Sequence, residues 1–151
     1  MKIAFVCEGN TCRSALAHHF MEKLVRERGL NQVQVDSFGV AGDPGLTVPR
    51  MVHDLLREEG VPSVHHVSKP MSRRLVEESD LILVMEERHR EFILRELPEA
   101  RGKVHLLRSY AGLKDPVEIR DPICGPHGIY DKTFCDIKEA LLKIVSKLEG
   151  K

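Results

Sequence analysis

The chain has no surplus of charge of either sign. Lys and Arg number 23, Asp and Glu number 23, and the formal net charge is zero. A general nucleic-acid binder usually carries a basic excess, so no nucleic-acid partner is expected. No apolar run comes near the ~18 residues needed to span a bilayer. The opening Met1-Lys2-Ile3-Ala4-Phe5-Val6-Cys7 is apolar but stops at Glu8, with Arg13 close behind. It is too short for a signal peptide, so a cytoplasmic location without membrane association is expected. The four cysteines, Cys7, Cys12, Cys124 and Cys135, include no C-x2-C pair, and a zinc site of that spacing is unsupported. Without a secretory signal they read as thiols rather than structural disulfides. Internal repeats, low-complexity tracts and linkers are also missing.

What is present suits one domain spanning 1–151. Apolar residues make up 42% and charged residues 30% of the 151, enough to bury a core and coat it. Disorder is excluded, because it needs low hydrophobicity and high net charge. Residues 2–7 read as a buried strand. Ser14 is placed to cap a helix running to about Arg28, with Gly29 as its stop. Val33 to Ser37 alternates like a second strand. Thr47 is expected to start a helix ending near Gly60. Asp80-Leu81-Ile82-Leu83-Val84-Met85 reads as a central strand, followed by a helix over 87–97 and a short strand at 104–107. Residues 108–129 read mostly as loop. Tyr130, Phe134, Ile137, Leu141, Ile144 and Leu148 form a stripe of helical period. Alternating strands and helices imply an α/β fold, a mostly parallel sheet with helices on both faces. Such sheets bind ligands at the carboxyl ends of strands, where strand order reverses.

The turn after the first strand reads Cys7-Glu8-Gly9-Asn10-Thr11-Cys12-Arg13-Ser14. Between a strand and a helix, successive backbone N–H groups form a nest for an anion, and the helix dipole adds positive charge there. Arg13 has the planar fork that grips two phosphate oxygens. Gly9 and Asn10 tolerate the left-handed backbone a tight nest needs. Cys7 at its base meets N–H groups, dipole and Arg13, all of which favour thiolate over thiol.

This string resembles the phosphate-binding loop of the low-molecular-weight protein tyrosine phosphatases. Asp36-Ser37 with Gly39, the His65-His66 segment, Asp80 to Met85 and Asp121-Pro122 come in the family's order along nearly the whole chain. The resemblance implies a three-layer α/β/α fold with a four-stranded parallel sheet, and the loop between first strand and first helix. It implies that Cys7 attacks phosphorus and forms a cysteinyl-phosphate, while Arg13 and the N–H groups of residues 8–13 hold the oxygens. Glu8, Gly9, Asn10, Thr11, Cys12, Arg13 and Ser14 then form the phosphate-binding loop. Asn10, Ser14, Ser37 and His66 match the supporting hydrogen-bond network, with His65 as a surface neighbour. Cys12 matches a redox partner that captures oxidised Cys7 as a disulfide. The substrate is a phosphorylated protein, no cofactor is called for, and a monomer is expected.

The leaving group needs an acid. Three Asp-Pro pairs offer one: Asp43-Pro44, Asp115-Pro116 and Asp121-Pro122. Asp121 matches best, because Gly125 and Tyr130 come after it and the last helix begins soon after. Tyrosine phosphate is the default substrate by family. Thr11, however, resembles the bacterial protein-arginine phosphatase branch. Ile123 and Cys124 also stand where tyrosine-specific members carry aromatics. A thiol-dependent arsenate reductase is a lesser alternative, since 80–97 holds no Cys and only Cys124 is unplaced. A non-catalytic phosphate-binding module would need neither Cys7 nor Asp121. The pairs His18-His19 and His65-His66 hint at metal, but adjacent residues do not share a helix face, so they read as surface residues.

Overall fold

A computed structural model of the chain describes residues 1–62, 64–122 and 127–150. Four strands form one parallel sheet: β1 (Lys2–Cys7), β2 (Gln34–Gly39), β3 (Leu81–Val84) and β4 (Val104–Leu106). Their spatial order is β2-β1-β3-β4. The chain moves outward from β1 to β2, then returns to the other side of β1 for β3 and β4. The carboxyl end of β1 therefore lies at the point where strand order reverses, the expected place for a ligand.

Side chains alternate across the sheet and define two cores. Ile3, Phe5 and Cys7 face one way, with Leu83, against α1 (Arg13–Glu27), α2 (Arg50–Glu58) and α6 (His127–Glu149). Ala4, Val6, Ile82 and Val84 face the other way, against α3 (Arg73–Glu78), α4 (Glu87–Glu96) and the 3-10 turn Pro98–Lys103. The result is three layers, as expected. The α6 stripe is buried along Phe134, Ile137, Leu141 and Ile144, and the Phe134 ring meets Phe20 of α1 edge to face at 5.6 Å. Among the described residues, no helix is long and apolar enough to cross a membrane.

Several boundaries differ from the sequence reading. Helix α1 starts at Arg13, with Cys12 in the cap position, so Ser14 is not the cap. Ser14 is the helix's second residue, and its hydroxyl is turned to Cys7 and Asn10 instead of to the helix end. Helix α2 begins at Arg50, not Thr47. Pro49 explains this, because the residue before a proline is kept out of helical backbone. The short helices α3 and α5 (Leu107–Tyr110) are too brief to show a period, and neither is legible as a helix beforehand.

Gly39 ends β2 beside Cys7. A Cβ there would sit 2.6 Å from the Glu8 carbonyl oxygen and 2.9 Å from the Asn10 nitrogen. Only glycine lets β2 approach the loop after β1 this closely.

Candidate active site

The loop after β1 is shaped by what its carbonyls bind. Cys7 O accepts from Val40 N at 3.0 Å and Glu8 O from Ala41 N at 2.8 Å. Gly9 O accepts from the Ser68 hydroxyl at 2.7 Å, and Asn10 O from His66 Nε2 at 2.8 Å. A trans peptide unit is planar, with C=O and N–H on opposite sides. Four carbonyls tied outward therefore turn the N–H groups of residues 8–11 inward. Asn10 completes the curve with a φ of 56°, in the left-handed region. The enclosed cavity, about 220 Å³, is lined by Cys7, Glu8, Gly9, Thr11, Cys12, Arg13, Leu46, Thr47, Pro49 and Asp121.

A chain of hydrogen bonds, its first two links fixed in sense, runs to the Cys7 sulfur. Lys69 N–H donates to Asn10 Oδ1 at 3.0 Å, which settles the orientation of that amide. Asn10 Nδ2 must then donate to Ser14 Oγ, at 2.8 Å. Ser14 Oγ in turn lies 3.0 Å from Cys7 Sγ, and its own hydrogen is free to point there. The Cys7 sulfur thus ends a run of contacts that starts at the Lys69 backbone and passes through Asn10 and Ser14. Cys12, in the same cavity wall, is buried and pushed up to about 12, first by burial and then by Cys7 and Asp121. It is a neutral thiol at ordinary pH.

Arg13 is only 1% exposed. Its Nη1 donates to Glu86 Oε2 at 2.6 Å and to Ile119 O at 2.8 Å. Its Nη2 lies 3.8 Å from Asp121 Oδ2. Asp121 is brought there because Ile119 N bonds Met85 O, just past β3. Its carboxylate is 36% exposed, at the rim of the cavity. The other two Asp-Pro pairs lie elsewhere. Asp43 is exposed and its carboxylate closes a turn onto Gly45 N, and exposed Asp115 does not line the cavity. Ile123, Cys124 and Gly125 lie outside the described residues, as do the expectations resting on them. Cys135 is an exposed free thiol on α6.

Ser37 and His66 are both near the loop but not in one chain of bonds. Ser37 Oγ pairs with His18 Nδ1 at 2.6 Å, whereas His66 reaches the loop directly. The reading of the pairs His18-His19 and His65-His66 as surface residues is corrected for His18, His19 and His66, and His66 stands behind the loop, where the supporting network is expected. His18, His19 and His66 are half-buried and packed together, while His65 is exposed. Burial pushes His66 down to about 4, so it is neutral and donates through Nε2.

Glu86, Arg88, Ser68 and His89 escape the sequence reading. Glu86 sits just past β3, next to β1 in the sheet, and that location is the signal that marks it. Arg88 bridges Glu86 and Glu8. Burial would raise the Glu86 carboxyl, but the bonds from Arg13 and Arg88 outweigh it and hold it below its usual value. His89 is fully buried. Its Nδ1 accepts from Glu86 N at 3.1 Å, and its Nε2 has no hydrogen-bond partner among the described residues.

Comparison with known proteins supplies the family. The family model for low molecular weight phosphotyrosine protein phosphatase matches residues 2–151. A protein-arginine-phosphatase of Bacillus subtilis is 34% identical over 99% of this chain and 97% of its own length. Low molecular weight protein-tyrosine phosphatase A of Mycobacterium tuberculosis is 30% identical over 93% of this chain and 87% of its own. A solved structure described as the arginine phosphatase YwlE, a Cys-to-Ser mutant with a phosphorylated active-site serine, superposes with a TM-score of 0.91. It is 32% identical, covering 99% of this chain and 96% of that one.

The buried His89 makes stability pH-dependent. Burial, then Arg13 and Arg88, push it down to about 4 from its ordinary 6.5. Between those values the unfolded chain binds a proton that the folded chain refuses. Stability should therefore fall as pH drops from 6.5 toward 4, by up to about 3 kcal/mol from this group. Urea unfolding across that window should give a shallower slope for His89→Gln than for the parent. Identical slopes would show that this imidazole carries no such charging cost.

Proposed function

The chain belongs to the low molecular weight phosphotyrosine protein phosphatase family, and from that premise we propose that it dephosphorylates phosphoarginine in proteins through a cysteinyl-phosphate. The observation that carries arginine over tyrosine is the cavity wall. Thr11 lines it along with Leu46, Thr47 and Pro49, and no aromatic stands among the described lining residues. A phenyl ring gains most from aromatic neighbours. A guanidinium offers N–H donors and no acceptor, and the Thr11 hydroxyl and Asp121 carboxylate are both acceptors. Tyrosine phosphate is the second reading, favoured by the name of the Mycobacterium relative.

In this reading the Cys7 sulfur, oriented by Ser14, attacks phosphorus in line with the departing atom. The N–H groups of residues 8–13 and Arg13 stabilise the equatorial oxygens as charge develops on them. Asp121 protonates the leaving group, then takes a proton from the water that hydrolyses the intermediate. The phosphorylated serine of the YwlE mutant supports a covalent path in that relative. Cys12 has a protective role: when peroxide oxidises Cys7 to a sulfenic acid, the nearby thiol displaces its oxygen as water and closes a disulfide.

The substrate reading is tested by Thr11→Ile, assayed side by side on phosphoarginine and phosphotyrosine peptides. The ratio should move toward tyrosine by about tenfold or more, the worth of one pocket contact. An unchanged ratio returns tyrosine phosphate to first place. The covalent mechanism predicts no turnover by Cys7→Ser, because an alcohol there stays protonated at neutral pH. Asp121→Asn should slow poor leaving groups by roughly 10²–10⁴-fold, and nitrophenyl phosphate less. The same behaviour in Asp115→Asn alone would reassign the acid. For Cys12, activity lost to mild peroxide should return with dithiothreitol in the parent and not in Cys12→Ser. Equal recovery in both rules out protection.

A further inference from the structure

Behind the phosphate-binding loop, on the side away from the cavity, three imidazoles converge. His18 and His19 come from α1 and His66 from the segment before α3, and one donor atom from each lies within 4.8 Å of the others. His19 Nε2 is 2.8 Å from His66 Nδ1. The Glu22 carboxylate closes the fourth side, 3.4 Å from His18 Nε2 and 3.2 Å from His19 Nδ1. We propose that His18, His19 and His66, with Glu22 beside them, form a binding site for a divalent transition metal of the zinc class.

The outward nitrogens support this. A metal-ligating histidine usually gives its other ring nitrogen to an oxygen, which fixes the tautomer and aims the lone pair. His66 Nε2 is held by the Asn10 carbonyl at 2.8 Å, which leaves Nδ1 facing the cluster. His18 Nδ1 is held by the Ser37 hydroxyl at 2.6 Å, which leaves Nε2 facing Glu22. Two of the three rings are thus oriented from outside by partners that do not compete for the inner position. Imidazole with one carboxylate is a donor set that suits zinc and its neighbours, not calcium or magnesium. Glu22 is nearly half exposed and provides a way in from solvent.

Tetrahedral zinc with bonds of about 2.0–2.1 Å needs its nitrogens roughly 3.3 Å apart. His19 and His66 must open slightly from 2.8 Å, and His18, now stacked on His19 with centroids 4.4 Å apart, must tilt. Both are side-chain rotations. The site meets the loop through the His66–Asn10 bond and β2 through the His18–Ser37 bond. An ion there would brace the loop from behind without entering the cavity.

The test uses zinc and cobalt(II) on a Cys7→Ser/Cys12→Ser protein, so that thiols of the cavity do not take the ion. Titration should give a single tight zinc, with cobalt(II) showing tetrahedral absorption free of a thiolate band. Zinc should also raise the melting temperature. His19→Gln and His18→Gln should each weaken binding by roughly tenfold or more and cancel the thermal shift, while His65→Gln, at the exposed neighbour, should change neither. If His18→Gln fails to fold, His19→Gln alone decides. Absence of zinc binding, or binding undiminished in His19→Gln, overturns the proposal. Because the readouts are affinity, absorption and melting, the outcome is independent of the substrate and of the mechanism proposed for Cys7.

Discussion

A peptide amide cannot be aimed by itself. Its direction is set by the carbonyl on the other side of the same plane. The site at the end of β1 depends on this constraint. Four successive carbonyls, from Cys7 to Asn10, are each held outward by Val40, Ala41, Ser68 and His66. Their anchors come from the end of β2 and from the segment leading to α3. The sheet order brings β2 against β1, and Gly39 lets it come close enough. An inward row of N–H groups is therefore a product of the fold around the loop, not of the loop sequence alone.

The same logic applies to the buried cation. A guanidinium taken from water costs several kcal/mol unless it is paired and bonded. Glu86 and the Ile119 carbonyl meet that need through Nη1. Anchoring one nitrogen fixes the plane of the fork and turns Nη2 toward Asp121. Arg13 and Asp121 are thus positioned by one strand end, since Glu86 comes just after β3 and Ile119 bonds to Met85. Buried His89 rests against the same group, accepting from the Glu86 N–H.

Local features are readable from the sequence because they repeat or adjoin. The strand–turn–helix at Cys7 to Ser14 is contiguous, and the α6 stripe has six members in helical phase. Asp121 stands apart from Asp43 and Asp115 through the residues downstream of it, and it is the one of the three that lines the cavity. Glu86 is not readable, because its partner Arg13 is 73 residues away and no pattern links them. Ser68 is an ordinary serine until its carbonyl partner is known. The difference between His65 and His66 is one of phase in a segment with no period. Ser14 misleads for a physical reason: it is a good capping residue whose hydroxyl is claimed by a sulfur and an amide instead.

Two cysteines five positions apart in one loop stand in different settings. Cys12 is buried beside Cys7 and Asp121, and that setting holds its proton firmly, at about 12. Cys7 stands at the end of a hydrogen-bond chain whose first two links cannot reverse. The Lys69 N–H can only donate, so Asn10 must accept with its oxygen and donate with its nitrogen. Ser14 keeps its own hydrogen, which is free to point at the sulfur 3.0 Å away. Reversing the amide of Asn10 would leave two hydrogens facing each other at Lys69 in a part-buried place, at a cost of about 1–3 kcal/mol. The polarity of a backbone amide near α3 is in this way transmitted through the Asn10 side chain to the hydroxyl beside the sulfur at the end of β1.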